Sequence, residues 1–191
     1  MKKILLASKN AHKVEEFEAI LKPFGYKVIS LKDLNDNDEV IEDGRTFLDN
    51  SMIKVNYYYN KYHMDVIADD SGISIEYFNN EPGVHSARFL SHLDYPEKNQ
   101  LIIDMMKGVE NRKAFYTCSI AFVIDGIKNG VEANWYGEIA QEAKGENGFG
   151  YDPIFYLKEY GMTSAELEPS LKNAISHHAL ASQKLVKYFE K

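Results

Sequence analysis

Short apolar runs of strand type alternate along the chain with stretches whose apolar residues recur at helical spacing. Ile4 to Ala7 is the first run; Ser8-Lys9-Asn10 bounds it, and it reads as a strand. A helix follows, with Val14, Phe17, Ile20 and Leu21 on one face and Glu15, Glu16 and Glu18 off it; Pro23 and Gly25 end it. Tyr26 to Leu31 is a second strand. Asp33 to Asp43 is acidic and turn-rich, and its carboxylates read mostly as a solvated loop face. Thr46-Phe47-Leu48-Asp49 opens the next helix like a capping box, with Asp in place of Glu. There Thr46, Asn50 and Lys54 form a polar stripe, and Leu48, Met52, Val55 and Tyr59 an opposing apolar one.

Val66 to Ala68 reads as the end of a buried strand, Ser71-Gly72 as a turn, and Ile73 to Ile75 as the strand resuming. Asn79 to Gly83 is a turn, and Ser86 to Phe89 starts a short helix or loop. Tyr95 to Lys107 is helical, with Gly108 as its stop. Ala114 to Asp125 and Val131 to Ala140 are long strands, joined by a turn from Asp125-Gly126 to Gly130. Thr163 to Glu166 begins a short helix that Pro169 limits, and a final helix carries Ala181, Leu185 and Phe189 on its apolar face. There is no internal repeat and no linker long enough to separate domains.

Against this pattern, Ala68-Asp69-Asp70-Ser71-Gly72 stands out. Successive strand side chains point to opposite faces, so Asp69 and Asp70 share a ligand only if the strand has ended before them. Acids at such an opening suit a hard cation such as Mg²⁺; an Asx turn ending the strand is the plainer reading. Ser8, Asn10 and Lys13 surround a strand-to-helix turn, a recurrent anion site, although Ser8 or Asn10 alone equally serves as a helix cap. Lys13 opposes the helix dipole, which capping leaves unexplained. The stripe ending in Lys54 is either a solvent face or the lining of the same site. Gly145 to Pro153 combines glycines that allow close backbone approach with Phe149 and Tyr151, which offer faces for a base, and Asp152, which accepts from base N–H groups. Pro153 favours an extended Asp152. Adjacent His177 and His178 lack the i, i+4 spacing of helical metal ligands and read as hydrogen-bonding groups.

Composition narrows the field. With 191 residues, 45% hydrophobic and 13% aromatic, the chain buries a real core. A net charge of −7 argues against a nucleic-acid polymer or an anionic membrane as the main partner. Cys118 is the single cysteine and lies in an apolar strand, so a disulfide framework and zinc spacing are both absent. No stretch reaches membrane-spanning length, and the short apolar start does not suit a signal peptide; a soluble, cytoplasmic protein is the expectation.

Taken in order, Ala7 to Lys13, Thr46 to Lys54, Ala68 to Gly72 with Pro82 to Arg88, Gly148-Phe149-Gly150-Tyr151-Asp152-Pro153-Ile154-Phe155, and Lys172 to His177 resemble the inosine/xanthosine triphosphate pyrophosphatase family, also called Ham1. The resemblance implies an elongated α/β fold with a mixed sheet flanked by helices, forming one domain of two lobes with a nucleotide cleft between them. It implies a homodimer and Mg²⁺-dependent hydrolysis of non-standard purine nucleoside triphosphates (ITP, dITP, XTP) to monophosphate and pyrophosphate, cleansing the nucleotide pool. Glu42 and Asp70 are then the implied metal ligands, with Asp69 a weaker one, and Asp70 the catalytic carboxylate that positions or deprotonates the water attacking the α-phosphorus. Ser8, Lys9, Asn10, Lys13 and Lys54 are the implied phosphate contacts, with Arg88 a weaker candidate, and Ser71 bonds the substrate. Phe149, with Gly150 and Tyr151 beside it, receives the base, whose edge Asp152, Lys172, His177 and His178 read.

Three departures from the family pattern stand in this chain. Asp49-Asn50-Ser51 replaces Glu-Asn-Ala, His85 replaces Tyr, and His178 replaces an Arg that reads the purine 6-oxo group. An imidazole reaches less far than a guanidinium and donates once per nitrogen, so His178 is the most consequential departure and bears on base selectivity. A Maf-type pyrophosphatase acting on other nucleotides and a non-catalytic nucleotide sensor are the competing readings. A substrate panel separates the first, and pyrophosphate release separates the second.

Overall fold

The structure, a computed structural model, describes residues 1–191. Eight strands form the sheet: β1 (Lys2–Leu6), β2 (Tyr26–Ser30), β3 (Asp65–Ile75), β4 (Glu81–Pro82), β5 (Lys113–Ile124), β6 (Ile127–Ile139), β7 (Phe155–Leu157) and β8 (Met162–Thr163). Five helices accompany them: α1 (Ala11–Leu21), α2 (Phe47–Tyr62), α3 (Tyr95–Met105), α4 (Pro169–Ile175) and α5 (His177–Phe189). The hydrogen-bonded order is β2-β1-β3-β5-β6-β7-β8, with β4 on β3. β1 pairs in parallel with β2 and β3, whereas β3–β4, β6–β7 and β7–β8 are antiparallel, which makes the sheet mixed as expected. No helix is long and apolar enough to cross a membrane.

The chain divides into two compact units. The first comprises Met1–Asp70, Cys118–Ala133 and Ala181–Lys191. Leu5, Val55, Tyr58, Val66, Ala121 and Val123 are among its core residues. α2 starts where the capping box predicts: Thr46 accepts from the Asp49 amide, and Asp49 accepts from the Thr46 amide in return. The acidic connection before it is less solvated than expected. Asp36 is buried, held by Lys61 and by the Tyr62 hydroxyl, and its Oδ1 accepts the Asp38 amide at 2.8 Å. The acids of this segment therefore tie the loop to the far end of α2.

The second unit comprises Ser71–Thr117 and Asn134–Leu180, with Ile73, Ile75, Ile102, Tyr116, Trp135 and Phe155 in its core. α3 begins at Asp94 with a capping box completed by Glu97. Three local expectations fail in this unit. Asp152 opens a 3-10 turn with Pro153 instead of lying extended, because proline is well suited to a first helical turn. For the same reason Pro169 begins α4 and does not limit a helix before it. Thr163 to Glu166 is the end of β8 and a turn closed by the Glu166 carboxylate on the Thr163 amide at 3.0 Å.

The strand carrying the paired acids also departs from expectation. β3 is continuous from Asp65 to Ile75, so Ser71-Gly72 is strand and not turn. Its parallel partner β1 stops earlier, with Leu6 opposite Ile67, and the Ala7 amide makes a last bond to the Ile67 carbonyl. Asp69 and Asp70 thus lie where β3 has outrun β1, beyond the carboxyl end of that parallel neighbour, where open α/β sheets hold ligands. The β5–β6 turn is tighter than predicted as well. Asp125 and Gly126 both adopt left-handed φ, 51° and 78°, and close a two-residue hairpin, so β6 begins at Ile127.

Candidate active site

Because β3 does not break, its two acids face opposite ways, and each meets a different helix. On one side the Lys13 ammonium of α1 lies 2.6 Å from the Asp69 carboxylate, which is only 4% exposed. Burial disfavours the Lys13 charge, yet Asp69 beside it holds the ammonium pKa above its ordinary value. On the other side Asn50 of α2 donates to Asp70 at 3.1 Å. One turn further along α2, Lys54 donates to the Asp69 carbonyl and pairs with Glu42 at 2.9 Å. Of the polar stripe of α2, Asn50 and Lys54 therefore line this cluster, whereas Thr46 caps the helix.

Asn50 also accepts the Gly44 amide at 2.8 Å, which ties the loop bearing Glu42 to the same amide side chain that holds Asp70. A Cβ at Gly44 would stand 2.6 Å from Asn50 Oδ1, so only glycine fits there. Burial, opposed by Lys54 and Asn50 and reinforced by Glu42 and Asp69, pushes the Asp70 carboxyl up to about 6. Glu42 pairs with Lys54, and its charge adds to what raises Asp70. Such an oxygen donor set fits a hard divalent cation, whose charge would favour the ionised Asp70.

The second cluster lies in the other unit and surrounds a cavity of about 200 Å³ lined by Ser71, Phe149, Gly150, Lys172, His177 and His178 among others. Asp152 is its hub, 3% exposed. One carboxylate oxygen accepts the Phe149 amide at 2.9 Å and the Lys172 ammonium; the other accepts the Ser164 hydroxyl at 2.8 Å and faces the Tyr116 hydroxyl at 3.5 Å. Gly148 makes this convergence possible: its φ is +75°, and a Cβ there would stand 2.2 Å from the Asp152 carboxylate. Phe149 is 77% exposed, with the Lys172 ammonium 5.3 Å from its ring centroid. His177, the first residue of α5, stacks on Tyr116 at 4.6 Å with 8° between the rings, and the His178 ring follows at 4.4 Å from that of His177.

The sequence-predicted residues thus sort unevenly. Lys13, Lys54, Glu42, Asp69 and Asp70 gather on one stretch of β3. Asn10 caps α1, its Oδ1 accepting the His12 amide at 3.0 Å, and Ser8 Oγ accepts the Asn10 amide at 3.1 Å. Lys9 is exposed and donates to Asn37 at 2.9 Å. Arg88 is exposed and is not among the residues lining the cavity. Tyr151 offers no open face for a base; it is 4% exposed, and its hydroxyl donates to the Ser86 carbonyl at 2.6 Å. Cys118 is buried as expected, and burial pushes its thiol well up. Tyr116, Ser164 and Asn99 were not singled out from the sequence. Asn99 alone gave a signal there, a polar residue on the face of α3 that carries Ile102, Ile103 and Met106.

The chain is similar to known proteins over nearly its whole length. The profile of the Ham1 family matches residues 4–188. The chain is 43% identical over 193 residues to a dITP/XTP pyrophosphatase of Clostridium tetani, covering 97% of this chain and 94% of that protein. It is 41% identical over 194 residues to the dITP/XTP pyrophosphatase of Bacillus subtilis, covering 100% and 98%. Among solved structures it is similar to the Staphylococcus aureus Ham1 protein, with a TM-score of 0.93 at 34% identity over 99% of this chain and 98% of that one.

Proposed function

The chain belongs to the Ham1 family, and from that premise we propose that it hydrolyses ITP, dITP and XTP to the monophosphate and pyrophosphate. The observation that carries this reading is the gathering of Glu42, Lys54 and Asp70, in which Lys54 pairs with Glu42 and acts electrostatically on Asp70, with Lys13 against the adjacent Asp69. Phosphoryl chemistry asks a protein mainly for placement and charge neutralisation, and this cluster offers both. Glu42 and Asp70 would hold Mg²⁺, with Asp69 in support. When bound, that ion would neutralise phosphate charge and acidify water.

Asp70 positions the attacking water at the α-phosphorus and takes its proton. Without the cation the Asp70 carboxyl lies at about 6, so it is ionised at neutral pH and available to the metal ion or to the proton of the water. Lys13 and Lys54 act as point charges on the phosphates, and the amides at the start of α1, with Ser8, Lys9 and Asn10, receive the remaining phosphate oxygens. Ser71 follows Asp70 directly on β3 and lines the aromatic cavity, where it bonds the nucleoside. Phe149 stacks on the purine, and Lys172, steered by Asp152, reads the edge together with His177 and His178. The weaker Arg88 contact, the homodimer and the cytoplasmic location implied by the family resemblance belong to the same proposal.

A site with donors aimed at a 6-oxo group leaves them unpaired, or facing an amino group, when adenine enters. At about 1–3 kcal/mol for each mismatched buried group, a preference for ITP over ATP of roughly 10²-fold is expected. Steady-state kinetics on ITP, dITP, XTP, GTP, ATP and the pyrimidine triphosphates, with pyrophosphate as the measured product, tests it. Equal kcat/KM for ATP and ITP, or release of inorganic phosphate alone, overturns the proposal.

A further inference from the structure

We infer that Asn99 is a positioning residue for nucleotide binding, acting through the carbonyl of Gly150; this rests on the proposed reading of the Phe149–Asp152 loop as the wall that receives the base. Asn99 is 1% exposed, on the apolar face of α3. Its Nδ2 donates to the Gly150 carbonyl at 3.0 Å, while its Oδ1 is buried with no hydrogen-bond partner. As a device for stability alone this is a poor arrangement. A buried amide with an unmatched acceptor costs more than its one hydrogen bond returns, and a leucine of similar size carries no such cost.

What the amide supplies and a leucine does not is a fixed donor at one backbone atom. Gly150 adopts a left-handed φ of +65°, next to the exposed Phe149 and two residues before Asp152. The same helix face holds the loop at its other contacts. Tyr95 meets Tyr151 edge-on at 5.4 Å, and the buried Lys98 sets its ammonium 4.4 Å from the Tyr95 ring and 5.8 Å from that of Tyr151. Those contacts are aromatic and tolerate sliding; the Asn99 bond is directional and fixes where the Gly150 peptide points. Phe149 and the Asp152 hub on either side inherit that orientation.

The test compares Asn99→Leu, Asn99→Ala and Phe149→Ala in full-length protein, reading kcat and KM for ITP with Mg²⁺ and the melting temperature. Expected for Asn99→Leu is a melting temperature equal to or above wild type, a KM raised about tenfold, the worth of one well-placed hydrogen bond, and kcat within about twofold. Asn99→Ala removes the donor without adding a charge and is expected to raise KM similarly, which keeps the test open if the leucine variant does not fold. Wild-type KM in a folded Asn99 variant, with KM raised in Phe149→Ala, overturns the inference and leaves the loop reading intact. Wild-type KM in Phe149→Ala overturns the loop reading, and the role of Asn99 falls with it.

Discussion

Replacing Asp70 by Asn is expected to yield a protein that is more stable and far less active. The side chains are nearly isosteric, and the Asn carbonyl still accepts the 3.1 Å bond from Asn50. What is lost is a buried negative charge whose carboxyl pKa is about 6, against an ordinary value of 3.8. A carboxyl raised in the folded state binds protons there that the unfolded chain has released, so wild-type stability falls as pH rises from about 4 to about 6 and stays lower above it. That difference in pKa is worth about 3 kcal/mol at most. Partial solvent access to Asp70 brings the expected gain at pH 7.5 to about 1–2 kcal/mol, or a few degrees in melting temperature for a chain of this length.

Lys54 keeps Glu42 and the Asp69 carbonyl, so the substitution strands no cation. Turnover is expected to fall by about 10²–10⁴, the usual contribution of a positioned base, with nucleotide still bound. The assay is thermal unfolding in chelator at pH 4.5, 6 and 7.5, beside pyrophosphate release with Mg²⁺. A lower melting temperature at pH 7.5 refutes the electrostatic argument, and near wild-type turnover refutes the catalytic one.

Two further perturbations concern the ion pairs Lys61–Asp36 and Lys54–Glu42. Hydrogen bonds from Lys61, Tyr62 and the Asp38 amide outweigh burial and hold Asp36 down at about 2; its stabilisation is complete above pH 4 and lost as pH falls towards 2. Asp36→Asn should lower stability at pH 7 and flatten the acid limb of a urea-midpoint profile; an unchanged acid limb contradicts this. Glu42→Gln removes one of the two acids facing Lys54, so the Mg²⁺ concentration giving half-maximal rate should rise by tenfold or more while melting temperature moves little. An unaltered Mg²⁺ requirement would remove Glu42 from the ligand set.

The parts of this molecule that were legible beforehand are those governed by local chemistry. The Thr46 capping box, the helix face of Phe17 and Leu21, and buried Cys118 need only neighbours in sequence, and each forms as expected. The misreadings arise where a distant partner decides. Ser71-Gly72 has turn chemistry, yet the sheet flanking β3 carries it as strand. Asp36 sits in a polar run that looks solvated until Lys61 and Tyr62 close over it. Tyr151 and Phe149 are equivalent aromatic residues two positions apart, and only the fold buries one and exposes the other. The acid–lysine cluster was legible as a set of residue types at promising positions. Which acid meets which lysine was not, because that depends on β3 staying unbroken.

The pairing of Lys54 with Glu42 bears on which forms of a nucleotide this protein accepts. A bare triphosphate must compete with a resident carboxylate for that ammonium, and the chain's charge of −7 gives it no long-range attraction. If the triphosphate arrives already escorted by a divalent ion, Glu42 gains a substitute counter-charge at the moment it yields Lys54. On the proposed reading, a cation-complexed triphosphate would displace that resting ion pair more readily than a naked polyanion.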